Sequence, residues 1–171
     1  MSPFPTAPVA ANEDAATMRG SHTNLVPWVG SMDALDTHLS RRLALCRRAG
    51  GVMTLLWIEM ELLGGPQPGA APDAELMRAA GLRLRNRVRG TDEVVQVAGL
   101  GFAVLLQAAG DATAELVEQR LQQALTGAYG VDDRRAYLGV RMGRALFPDA
   151  GRTGRLLAEA ACQSLALRQG G

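Results

Sequence analysis

Between residues 31 and 48 the apolar positions recur at helical spacing, with Leu35, Leu39, Leu43 and Cys46 on one stripe. Ser31 stands where a helix N-cap is wanted, and Arg47-Arg48-Ala49-Gly50-Gly51 puts cations and then glycines at the far end, so the pattern predicts a first helix. The period then changes. Val52-Met53-Thr54-Leu55-Leu56-Trp57-Ile58-Glu59-Met60-Glu61 is almost continuously apolar over a strand's length, which suits a central strand covered on both faces. Gly64-Gly65-Pro66-Gln67-Pro68-Gly69 requires a loop. Pro72 and Asp73 open a second helix whose inward stripe is Leu76, Ala80, Leu84 and Val88. Its other faces carry Arg78, Arg83, Arg85, Arg87 and Arg89, with Arg89 falling in the last turn.

Residues 93–97 and 102–107 are rich in Val, Leu and Phe, and Ala98-Gly99-Leu100-Gly101 between them supplies the backbone freedom of a hairpin turn. A third helix is predicted over residues 113–125, with Leu116, Val117, Leu121 and Leu125 inward. Residues 129–131 and 135–147 form strands around an Asp132-Asp133 turn, ended by Pro148-Asp149-Ala150-Gly151, and residues 155–169 form a closing helix. This order gives an α+β fold, with helices packed on a mostly antiparallel central sheet.

The 171 residues make one domain's worth of chain, and 18 basic against 17 acidic residues leave a net charge of +1, which gives no reason to expect nucleic acid as a partner. Residues 1–22 are rich in Pro, Ala, Thr and Asn and lack a secretory pattern; they are expected to form a disordered tail ahead of a domain at 23–171. No apolar run approaches the ~18 residues that span a bilayer, so no membrane insertion and a cytoplasmic location are expected. Cys46 and Cys162 have no metal-ligand spacing and are expected to be buried, reduced thiols. His22 and His38 have no ligand partners in sequence, and Trp28 and Trp57 are expected to be packing anchors.

The most informative stretch is Arg89-Gly90-Thr91-Asp92 followed, after five residues, by Ala98-Gly99-Leu100-Gly101-Phe102. It resembles the GGDEF family of bacterial diguanylate cyclases, whose Gly-Gly-(Asp/Glu)-Glu-Phe hairpin is preceded at this spacing by an inhibitory Arg-x-x-Asp motif. The resemblance runs from about Thr23 to Arg168. Thr23-Asn24-Leu25 with Pro27 is similar to the family's opening Thr-Gly-Leu-Pro-Asn-Arg motif, without its Asn-Arg pair. Ile58-Glu59-Met60-Glu61 takes the place of an Asp-x-Asp, and Met142-Gly143-Arg144-Ala145-Leu146-Phe147-Pro148 resembles Ile-Gly-Val-Ala-x-Tyr-Pro.

The resemblance implies a degenerate active site. Condensing two GTP molecules needs Mg²⁺ on carboxylate oxygens, yet Leu100 and Gly101 stand at the two acidic signature positions, leaving Glu59 alone at the first metal position. No metal and no cofactor are therefore expected, and no cyclase activity. Glu59 and Glu61 otherwise simply end a strand in solvent, and Asp73 is either the family's guanine-contacting Asp or a helix N-terminal acid. Arg89, Asp92 and Arg120 match the inhibitory site, where family members bind an intercalated pair of c-di-GMP molecules. The guanidinium can fork onto guanine O6 and N7 or a phosphate, while the carboxylate accepts from N1 and N2. The implied function is a c-di-GMP receptor that signals to a protein partner or forms a homodimer. The alternative is a nucleotide-independent scaffold in an exopolysaccharide or motility assembly, with Arg89 merely favouring a helix dipole and Asp92 pairing with it.

Overall fold

The computed structural model describes residues 26–64, 73–97 and 101–170. The elements run α1 (Met32–Arg48), β1 (Met53–Leu63), α2 (Ala74–Arg85), β2 (Glu93–Val97), β3 (Gly101–Gln107), α3 (Asp111–Leu125), β4 (Gly127–Val131), β5 (Arg134–Phe147) and α4 (Gly154–Gln169). The five strands form one sheet in the order β2-β3-β1-β5-β4, with every neighbouring pair antiparallel. The α+β expectation is thus met, with β1 at the centre.

Strand alternation divides the core into two layers. Leu55 and Trp57 point to one face with Ala103, Leu105, Ala145 and Phe147, and are covered by Leu35, Leu39 and Leu43 of α1 and Leu157, Ala161 and Leu165 of α4. Leu56, Ile58 and Met60 point to the other face with Phe102, Val104 and Met142, beneath Leu76, Ala80 and Leu84 of α2 and Leu121 and Leu125 of α3. Because β1 is covered on both faces, both of its side-chain sets must be apolar, which accounts for its unbroken hydrophobic run.

Local chemistry sets the element ends. The Ser31 hydroxyl accepts from the Ala34 N–H to cap α1, and the Asp73 carboxylate accepts from the Glu75 N–H to cap α2. Asp132 and Asp133 take positive φ of 47° and 62°, the conformation of a tight hairpin between β4 and β5. Four expectations need correction. Helix α2 ends at Arg85, so Val88 packs from the following turn and Arg89 is not helical. Leu116 is 68% exposed; the inward face of α3 is instead Ala114, Leu121 and Leu125, with Val117 at its margin. Trp28 is 66% exposed, whereas Trp57 is the packing anchor expected. Cys46 and Cys162 are free thiols, as read, but only partly buried.

The outer edge of β2 is covered by the chain leading into α1: the Val29 N–H donates to Gln96 O and the Gln96 N–H to Pro27 O, both at 2.8 Å. On the far side of the sheet Arg144 of β5 binds Asp111 and Glu118 of α3, each at 2.8 Å, and Glu118 also pairs with Arg168 of α4. The loop expected at 64–69 and the turn at 98–100 lie, apart from Gly64, outside the described residues, as does the expected tail.

Gly143 fixes how closely α4 approaches the sheet. A Cβ there would lie 2.1 Å from Ala161 O and 2.4 Å from Leu165 N, both backbone atoms that cannot turn aside. Gly143→Ala should therefore lower unfolding stability by about 3 kcal/mol or more, the upper end of overpacking costs, in a urea titration.

Candidate functional site

The degenerate signature positions lie around β1 and the β2–β3 hairpin. Across the sheet Glu59 of β1 lies opposite Gly101 of β3 and Arg141 of β5. Phe102, the last signature residue, is wholly buried, and its ring packs against α2 at Gly81, where a side chain's absence lets it approach. The hairpin register is intact, Val97 pairing with Gly101 across three residues; Ala98, Gly99 and Leu100 themselves lie outside the described residues.

The residues present do not fit a divalent cation. The Glu59 carboxylate pairs with Arg141 at 3.1 Å, Gly101 has no side chain, and Leu100 carries no ligand atom. Among the described residues no group of three or more His, Cys, Asp or Glu side chains is placed to hold a metal. Nearby, burial pushes the Cys162 thiol up to about 12, helped by the negative charges of Glu59 and Glu159, so it remains a protonated thiol rather than a nucleophile. Glu61 is exposed, and Asp73 caps α2 while pairing with Arg134 at 3.2 Å.

The second site is the Arg89-Gly90-Thr91-Asp92 turn. The Asp92 N–H donates to Arg89 O at 3.1 Å, closing a four-residue turn. Its side chain turns inward: one carboxylate oxygen accepts from the Arg89 N–H at 2.8 Å, the other from the Gln107 N–H at 3.0 Å, and the residue is only 7% exposed. Asp92 therefore ties the turn to the end of β3. It does not pair with the Arg89 guanidinium, as the bland reading had it, and its two oxygens do not face outward as a base-reading edge.

The arginines divide into two sets. Arg78 pairs with Glu75 at 2.8 Å. Arg83 lies over the Tyr129 ring, 3.7 Å from its centroid, and donates to Ala128 O. Arg85 donates to Asp92 O and Arg89 O, both at 2.7 Å, which holds the chain in its turn after α2. These three are structural. Arg87 and Arg89 are exposed, and Arg120 reaches across from α3 to donate to Arg87 O at 2.8 Å. Among the described residues none of Arg87, Arg89 and Arg120 forms an ion pair.

The fold thus brings Arg120 beside the Arg-x-x-Asp turn and adds Arg87, which the motif alone does not single out. No sequence signal singles out Arg87, because nothing in the sequence marks the end of α2 at Arg85. Beside the turn a cleft of about 270 Å³ is lined by Arg42, Arg85, Asp92 and Glu93. His38 is not isolated: it meets Glu93 at 3.0 Å, and Arg42 meets the other oxygen of the same carboxylate at 3.0 Å. His22 lies outside the described residues.

The two motif residues should separate on mutation. Asp92→Ala strands two backbone N–H groups and should cost about 2–4 kcal/mol, with lost hydrogen-exchange protection at Gln107. Arg89→Ala, at an exposed side chain, should stay within about 0.5 kcal/mol of wild type in the same denaturation experiment.

No family model matches the sequence, and no curated protein matches it. Solved structures do match. A sensory box/GGDEF family protein from Caulobacter crescentus is 23% identical with a TM-score of 0.72, the match covering 89% of this chain and 100% of that one. The GGDEF domain of YfiN (TpbB) from Pseudomonas aeruginosa is 23% identical with a TM-score of 0.71, covering 86% and 93%. The coiled coil and GGDEF domain of DgcB from Caulobacter crescentus, solved in complex with c-di-GMP, is 15% identical with a TM-score of 0.65, covering 84% and 78%. The antiparallel five-stranded sheet with its four flanking helices is the fold of GGDEF domains, nucleotidyl cyclase-like.

Proposed function

We propose that this domain is a non-catalytic, cytoplasmic receptor for c-di-GMP, which it takes up at the Arg89–Asp92 turn and Arg120 and reports to a protein partner or a second copy of itself. The observation that carries the reading is the Arg120 guanidinium seated on the Arg87 carbonyl, two residues before the exposed Arg89, with none of the three arginines in an ion pair among the described residues. Exposed cations without a carboxylate partner favour an anionic ligand. Asp92 supports the site by holding the turn that projects Arg89. A hairpin sequence with no acid and a Glu59 paired with Arg141 support the non-catalytic reading. A protein of similar fold, DgcB, is solved in complex with c-di-GMP.

The rival scaffold reading has its own observation: Leu116 and Leu167 expose most of their apolar surface, and Asp92 is engaged by the backbone. Isothermal calorimetry with c-di-GMP decides between them. Wild type should bind, and Arg89→Ala should weaken binding about tenfold or more through loss of a charge-assisted contact. A ligand selective for the folded state must also raise the melting temperature. An unchanged melting temperature and oligomeric state at saturating c-di-GMP would establish the scaffold instead. With GTP and Mg²⁺ at high protein concentration, no cyclic product should form.

A further inference from the structure

The last turns of α1 carry a second recess. Leu45, Cys46 and Ala49 share a helix face with Arg42, and with Met53 of β1 and Ala108 after β3 they line an open groove of about 500 Å³. Met53 is buried in it, whereas Leu45 and Val52 are 52% and 40% exposed. The rim is cationic. Arg41 and Arg48 lie four residues before and three after Leu45, hence beside it on the helix, and both are exposed without an ion pair among the described residues. No Asp or Glu occurs from Thr37 to Ile58, and Glu93, which Arg42 meets, is also held by His38. The helix C-terminus contributes only about half a negative charge, too little to offset two arginines. An apolar floor with such a rim fits a segment that combines apolar and acidic side chains.

The chain brings such a segment to this place. Arg42 lines both the groove and the cleft beside the Arg-x-x-Asp turn, which Val26 and Pro27 also line, so residues 1–25 join the described chain one arginine away from the groove. From Ser2 to Met18 they hold no base and two adjacent acids, Glu13 and Asp14; the first base, Arg19, lies on the other side of Met18 from both. The order also agrees: α1 runs from Arg42 past Leu45 to Arg48, about 9 Å, and the chain traced back from Val26 meets Met18, then Asp14 and Glu13. Met18 is eight residues from Val26, a reach of up to about 28 Å. We propose that the groove is the docking site of this chain's own N-terminal segment, with Met18 entering against Leu45, Val52 and Met53 and with Glu13 and Asp14 meeting Arg41 and Arg48. An unbranched thioether fills an irregular groove well, and guanidinium forks match carboxylates. Tethered this close, the segment acts at an effective concentration on the order of millimolar, so a separate protein must displace it to use the groove. The proposal uses none of Arg87, Arg89 and Arg120 and stands apart from the receptor reading.

Cys46 reports occupancy from within the groove. In the full chain carrying Cys162→Ser, alkylation of Cys46 by iodoacetamide, a neutral reagent, measures how often the groove stands open. Met18→Asp, and separately Glu13→Arg with Asp14→Arg, should each speed the reaction about fivefold or more over the parent, whose rate should not depend on protein concentration. Met18→Cys in the same background should form, on mild oxidation, a disulfide with Cys46 within one chain. Equal alkylation rates in parent and variants overturn the proposal and leave the groove to a separate protein. A parent rate that falls as protein concentration rises, or a disulfide that joins two chains, overturns it in favour of a second copy.

Discussion

The carboxylate of Asp92 accepts two backbone hydrogen bonds from different parts of the chain, one from the turn after α2 and one from the end of β3. Bonds from neutral amides to an ionised carboxylate are among the stronger ones in proteins, and here they close the open end of the β2–β3 hairpin. The hairpin register determines where Phe102 enters the core, and Phe102 in turn seats α2 through Gly81. Arg85 reinforces the same turn from the helix side. One buried acid thus organises the turn, the hairpin and the helix, and leaves the neighbouring guanidinium groups outside.

That division separates two kinds of position in the hairpin. Glu59 lies within β1 and Gly101 begins β3, and Gly101 pairs with Val97 and Glu59 through its backbone alone. Replacing Asp92 would strip partners from two amides. The first asks nothing of its side chain; the second is held in place by folding.

Much of the architecture was legible because it depends on periodicity and caps. The continuous apolar run of β1, the Ser31 cap and the Asp132-Asp133 turn each have a local physical cause that the sequence states directly. Leu116 was misplaced because the spacing of α3 admits two adjacent inward stripes, and the structure buries the one that carries Ala114, Leu121 and Leu125. The end of α2 was misplaced because no glycine or proline marks it; the carbonyls of Arg89 and Asp92 are drawn to Arg85 by a tertiary arrangement that no helical periodicity encodes. At the site, the residue types of the Arg-x-x-Asp motif were readable, but which side chain faces inward was not. That orientation depends on Gln107, 15 residues away across a hairpin.

The segment that precedes α1 lies along β2 and uses both backbone groups of Gln96. An exposed strand edge is a template on which a foreign chain can build, and this one is already stoppered from within. Self-association by sheet extension is thereby diverted to the opposite margin at β4, where Arg83 has claimed the Ala128 carbonyl. A second chain pairing along β2 would first have to displace Pro27 and Val29 from Gln96.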